Sequence, residues 1–255
     1  MSYRATFAKR LRARDRLVGS FIKSSDPANV EILGLAGFDF AILDAEHAAI
    51  DRTTIAAMAM AARAAKLPLL VRIPETGHHW VATALDAGAA GIMAPQVRDA
   101  EMARALVAAT RFGAQGRGFS PSTAGADYGA RGISAHLKQV AQETVLICQI
   151  EDEPSVAQAG DIAAVNGVDG LLLGPVDLTV SLGLTDPAAA EVETLCQDTI
   201  TAAEATGTAA GLFLGNPADS GKWQKAGANL FVIGSDQAFL MGAARTALKQ
   251  FGHNS

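Results

Sequence analysis

Cysteine is scarce in this chain. Cys148 and Cys196 are the only two among 255 residues, and they lie too far apart to form a Cys-x-x-Cys pair. Neither a zinc ribbon nor a disulfide framework is supported, and a reducing, cytoplasmic setting is the expectation. Aromatic residues are few (5%), and charge is modest (18%) with a small acidic excess, 26 acidic against 21 basic residues. Without a basic stripe, the footprint of a nucleic-acid binder is missing, so no nucleic-acid partner is expected. Long hydrophobic runs are lacking too. Gly, Pro or Asn interrupts each apolar stretch before the ~20 residues a membrane span needs, and charge occupies the start of the chain, where a signal peptide would be apolar. A soluble protein without a membrane partner follows. No Gly-x-Gly-x-x-Gly turn follows the first apolar run, where Lys23-Ser24-Ser25-Asp26-Pro27 stands instead, which argues against a dinucleotide-binding open sheet.

What is present is a regular alternation. Apolar runs occupy residues 17–22, 38–43, 68–73, 91–94, 145–150, 170–173, 209–214 and 230–233. They are nearly continuous, as strands buried on both faces must be. Stretches with helical periodicity lie between most of them, at 27–35, 53–66, 80–86, 99–110, 191–206 and 238–251. Eight such units fill the length, and alternating strands and helices predict a parallel sheet with right-handed crossovers, closed as a (β/α)8 TIM barrel in a single domain over residues 1–255. The longest stretch without a strand, residues 111–144, is rich in glycine and is the candidate for a mobile active-site loop.

Barrel chemistry sits at the C-terminal ends of the strands, and polar residues gather there. The second run ends in Asp44-Ala45-Glu46-His47, the third in Arg72, the fourth in Pro95-Gln96, the fifth in Gln149-Ile150-Glu151-Asp152 and the sixth in Gly174-Pro175-Val176-Asp177. Strand alternation puts Gln149 and Glu151 on one face, so Glu151 and Asp177, from adjacent strands, can converge as a hard-cation site of the Mg2+ or Mn2+ type. Either acid alone reads more readily as a helix cap. Asp44 and His47 form a candidate acid/base pair, the alternative being an exposed loop histidine beside a capping acid. Arg72 closes an apolar run, where an unpaired charge is costly, so it calls for a carboxylate or an anionic ligand. His78 and His79 read as surface residues, Met58 and Met60 as core filling, and Cys148 as facing the helices. A Schiff-base aldolase needs a desolvated lysine. Of seven lysines only Lys23 lies near a strand's C-terminal end, among polar neighbours, so lysine chemistry is disfavoured.

The combination resembles the metal-dependent (class II) 2-oxo-acid aldolases of the 4-hydroxy-2-oxoheptanedioate and 2-dehydro-3-deoxyglucarate aldolase type. The resemblance rests on Asp44-Ala45-Glu46-His47, Val71-Arg72-Ile73-Pro74, Leu85-Asp86-Ala87-Gly88-Ala89, Met93-Ala94-Pro95-Gln96-Val97, Gly116-Arg117-Gly118-Phe119-Ser120, Gln149-Ile150-Glu151 and Gly174-Pro175-Val176-Asp177-Leu178. It implies a barrel that swaps its last helix with a neighbour and assembles as a homo-hexamer. The cofactor it implies is a divalent cation, Mg2+ or Mn2+ with Co2+ as a further candidate, on Glu151 and Asp177. Arg72 would hold the 2-oxo oxygen of pyruvate, and the main-chain N–H groups of Val176 and Asp177 its carboxylate. His47, oriented by Asp44, would be the acid/base. Gln149 would line the site, Glu46 would stand behind it, and Asp86 would reach an adjacent subunit's site. The implied reaction is reversible cleavage of 4-hydroxy-2-oxo acids to pyruvate and an aldehyde. The alternatives are a related barrel lyase acting on an acyl-CoA thioester, which needs a basic phosphate clamp not visible here, and a metal-binding barrel without turnover. Phe21, where many members carry Trp, and the lack of an Arg after Thr123 bear on aldehyde preference.

Overall fold

A computed structural model describes residues 1–252. The chain opens with α1 (Tyr3–Arg12), β1 (Leu17–Ile22), α2 (Ala28–Ala36), β2 (Phe40–Asp44), α3 (Arg52–Ala65), β3 (Leu69–Arg72), α4 (His78–Ala87) and β4 (Gly91–Ala94). It continues through α5 (Ala100–Thr110), α6 (Ile133–Glu143), β5 (Val145–Ile150), α7 (Glu153–Ala157), α8 (Ala159–Ala163) and β6 (Gly170–Leu173). It ends with α9 (Pro175–Ser181), α10 (Ala190–Thr206), β7 (Ala209–Leu214), α11 (Ser220–Lys225), β8 (Leu230–Ser235) and α12 (Asp236–Gln250). The strands pair in sequence order, all parallel, and β8 closes on β1, the expected (β/α)8 barrel. The single-domain span expected for 1–255 ends in residues 253–255, which lie outside the described residues.

Alternation divides the core in two. Outward side chains such as Ala41, Leu43, Val71 and Cys148 pack with the helices, and Cys148 there has its thiol pushed up to about 12 by burial and Asp169. Inward ones, including Phe40, Ile42, Leu70, Met93, Ile147 and Val232, fill the barrel, and Phe7, Ala8 and Leu11 of α1 join them from below. Phe7 meets Phe40 at 5.4 Å between ring centroids, so α1 stops the N-terminal end. Gly211 lets β7 and β8 close, because a Cβ there would lie 1.4 Å from Leu230 O.

Two expectations are corrected. Residues 111–144 contain α6 and a 3-10 turn (Ala124–Gly129), and none of them lines the mouth of its own barrel. The segment is pinned to the flank by Arg63 Nη2 donating to Ala124 O (2.6 Å) and by ion pairs Arg117–Asp86 (2.5 Å) and Arg4–Glu143 (2.9 Å). Its glycines signalled irregular backbone, which says nothing of where that backbone packs. Met60 is 64% exposed whereas Met58 is buried, because two positions along a helix turn a side chain about 200°. α12 stands apart from the other long helices: none of its residues is buried, and Leu240 is 73% exposed.

Candidate active site

The uppermost inward layer of the barrel is polar, and strand register builds it. Asp44 and Arg72 are direct partners across β2 and β3. Arg72 Nε donates to Asp44 Oδ1 at 2.9 Å and Nη2 to Oδ2 at 2.6 Å, a bidentate pair in which Asp44 is fully buried. Burial drives the Asp44 carboxyl upward, but the bonds and charge of Arg72, the His47 main-chain N–H and Lys23 outweigh it, leaving Asp44 below the usual carboxylate range. The remaining Arg72 nitrogen, Nη1, faces Gln149 Oε1 and Glu46 Oε2, each at 3.4 Å, and the guanidinium lies 4.7 Å from the centre of the Phe21 ring.

Gln149 Nε2 donates to Glu151 Oε2, and Glu151 Oε1 accepts the Gln96 N–H at 2.8 Å. Gln96 adopts φ +54°, a left-handed conformation uncommon outside glycine that aims this N–H at the carboxylate. Burial, together with the like charges of Asp177 and Glu46, raises the Glu151 carboxyl to about 7. Glu46 is raised as well, by burial against the pull of Arg72 and His47, and its Oε2 has no hydrogen-bond partner among the described residues. At Gly174 a Cβ would lie 2.4 Å from Asp177 Oδ2 and 3.3 Å from Gln149 Nε2, so only glycine lets Asp177 turn back toward the Gln149–Glu151 pair. Arg72 lies 3.4 Å from Glu46, whereas Glu151 and Asp177 have no lysine or arginine within ion-pair distance among the described residues, and a pair of carboxylates of this kind fits a divalent cation that retains several waters. No group of three or more His, Cys, Asp or Glu with metal-holding geometry occurs among the described residues, so the protein's direct share would be the two carboxylates of Glu151 and Asp177.

A cavity of about 250 Å3 opens above this layer, lined among others by Phe21, Lys23, His47, Arg72, Gln149 and Asp177. The structure therefore brings together Asp44, His47, Arg72, Gln149, Glu151, Val176 and Asp177 as the sequence suggests, with two differences. Asp44 accepts the main-chain N–H of His47 (3.1 Å) rather than facing its ring, and the ring Nε2 lies 3.6 Å from Glu46 Oε2. Asp44 thus shapes the loop, and Glu46 is the acid beside the imidazole. Asp86 sits on α4, away from this cavity, bonded to Arg117, and burial raises its carboxyl despite that arginine. Lys23, set aside in the sequence, is in the wall, its Nζ 3.3 Å from Asp44 Oδ2. The signal was there. Leu17, Gly19 and Phe21 alternate inward along β1, and the next position in that series is Lys23. The two cations lining the mouth, Lys23 and Arg72, both lie beside Asp44.

Residues 17–243 match the HpcH/HpaI aldolase/citrate lyase family. Over 249 residues, 96% of each chain, the sequence is 32% identical to a hydroxypyruvate/pyruvate aldolase of Roseovarius nubinhibens. It is 33% identical to a 5-keto-4-deoxy-D-glucarate aldolase of Klebsiella pneumoniae, over 96% of this chain and 94% of that one. Among solved structures, an HpcH/HpaI aldolase/citrate lyase family protein from Burkholderia cenocepacia superposes with a TM-score of 0.91 at 32% identity, covering 97% of this chain and 99% of the other.

Proposed function

The chain belongs to the HpcH/HpaI aldolase/citrate lyase family and is a carbon–carbon lyase of the pyruvate aldolase kind, and from that premise we propose how its mouth works. The substrate is a 4-hydroxy-2-oxo acid, split reversibly into pyruvate and an aldehyde. Glu151 and Asp177 hold a divalent cation, Mg2+ or Mn2+, which when bound supplies positive charge to the 2-oxo group. Arg72 Nη1, the donor not committed to Asp44, turns to the oxygen on which charge develops as the bond breaks, and Asp44 keeps the guanidinium in that plane. Val176 and Asp177 occupy the first turn of α9, where main-chain N–H groups have no intrahelical acceptor, and they receive the carboxylate. His47, half exposed and backed by Glu46, takes the proton of the 4-hydroxyl as the C3–C4 bond breaks, the enolate left behind takes a proton from solvent at C3 to become pyruvate, and addition runs the same steps in reverse.

The assembly belongs to the same reading. α12, with its apolar side uncovered, exchanges with a neighbour in a homo-hexamer, and Asp86 serves an adjacent subunit's mouth. The observation that carries the function is the bidentate Asp44–Arg72 pair linked through Gln149 to Glu151, whose carboxyl is lifted to about 7 by burial and the neighbouring acids. The test follows deuterium exchange into the methyl group of pyruvate in D2O by NMR, with Mn2+ present and after chelation. Exchange that needs the metal and disappears in Glu151→Gln is expected, and equal exchange after chelation would overturn the reading.

A further inference from the structure

Lys23 has no part in the steps above, yet the structure gives it a fixed place in the cavity wall. Its main-chain N–H and that of Ser24 donate to the Asp236 carboxylate at 2.9 and 3.0 Å, and Ser24 Oγ donates to the same group at 2.5 Å. This clasp between the end of β1 and the start of α12 sets the direction in which the Lys23 side chain leaves the backbone. The ammonium reaches to 3.3 Å from Asp44 Oδ2 and remains 30% exposed. Asp44 is already matched, because both its oxygens accept bonds of 2.9 Å or less from Arg72. Arg72 also lies 3.4 Å from Glu46, whereas the Lys23 ammonium has Asp44 alone within ion-pair distance among the described residues. No hydrogen bond from Lys23 Nζ to a protein acceptor occurs among the described residues, so donors of this three-proton group are unassigned. The Lys23 ammonium enters the cavity from the β1 side, and the Asp177 carboxylate lines it from the β6 side.

We infer that Lys23 is a specificity-determining residue whose ammonium receives a carboxylate at the far end of the acceptor aldehyde. The inference rests on the pyruvate aldolase reading. Held between two opposite walls, a molecule with an anionic tail gains on one orientation only, and a neutral tail of the same shape gains nothing from Lys23.

The experiment compares kcat/KM for addition of pyruvate to succinic semialdehyde and to 4-methylpentanal, in which an isopropyl group replaces the carboxylate. The wild type should favour the acid. In Lys23→Met the ratio of the two values should fall roughly 10- to 100-fold, the scale of one charge-assisted hydrogen bond, and Lys23→Arg should keep most of it. An unchanged ratio, with both acceptors slowed alike, overturns the inference and makes Lys23 a support for Asp44. If Lys23→Met does not fold, Lys23→Gln is compared with Lys23→Arg by the same ratio. Deuterium exchange into pyruvate needs no aldehyde and separates the two ideas. Exchange with an unchanged ratio removes only Lys23, whereas no exchange removes the aldolase reading and this inference together.

Discussion

Arg72 commits two donors to Asp44 and keeps the third nitrogen for the cavity, a division that only a planar fork permits. Lysine at this position would keep the charge and lose the geometry. Arg72→Lys is expected to lose about 2 kcal/mol or more of transition-state stabilisation, seen as a fall in kcat/KM, on the scale of a removed oxyanion donor. Glu151 gives a pH prediction. Burial and the neighbouring acids oppose its charge and push its carboxyl up to about 7, above the ordinary carboxyl range. For a raised carboxyl the native state favours the proton, so in the metal-free protein this contribution is complete below the unfolded value and is lost as pH rises through about 7. A cation must displace that proton, so Mn2+ affinity, measured by titration, should weaken steadily below pH 7 and level off above it. An affinity equal at pH 6 and pH 8 would remove Glu151 from the ligand set. At this scale the sequence was legible where alternation or an expensive charge spoke, as for Gln149, Glu151 and Arg72. It was not legible where a main-chain direction decided. Asp44 and His47 are three residues apart in either arrangement, and only the folded loop turns the Asp44 carboxylate to the His47 backbone and Glu46 to its ring.

Among elements, the strands were nearly all readable, since burial on both faces leaves an uninterrupted apolar run. The helices that escaped notice are those whose role is tertiary. α1 carries four basic residues among its ten and a short buried stripe of Phe7, Ala8 and Leu11, and nothing local says that this stripe enters the barrel. Its contribution can be measured. Phe7 is 3% exposed against Phe40, so Phe7→Ala should cost about 3–5 kcal/mol in equilibrium denaturation. An effect under about 1 kcal/mol would mean that α1 lies loosely against the barrel. α6 was hidden differently, inside a segment whose glycines drew the eye to irregularity and with Gly132 rather than a capping side chain at its start, although it packs against α1.

On the scale of the whole molecule, the fold was legible because eight repeats of one pattern must close. The assembly is written less openly, in a single helix that touches its own barrel through Asp236 and Phe239 and has no buried residue. If α12 is exchanged between subunits, an acid on its exposed apolar side should prevent association and spare the fold. Leu240→Asp is therefore expected to run as a monomer in light scattering after gel filtration, with unchanged far-UV circular dichroism, while the parent runs as an oligomer. A parent that is itself monomeric would refute the exchange.

The stopper formed by α1 has a further consequence for traffic through the enzyme. With the barrel packed solid from below, the site is a blind alley with one door. If Arg72 and Gln149 hold pyruvate at the back as proposed, it cannot depart past an aldehyde standing in the doorway, nor can an aldehyde slip in behind it. The order of the queue is then imposed by architecture: in cleavage the aldehyde leaves first and pyruvate last, and in synthesis pyruvate must arrive first. Pyruvate should accordingly compete with the 4-hydroxy-2-oxo acid for the empty enzyme, whereas the aldehyde should inhibit noncompetitively.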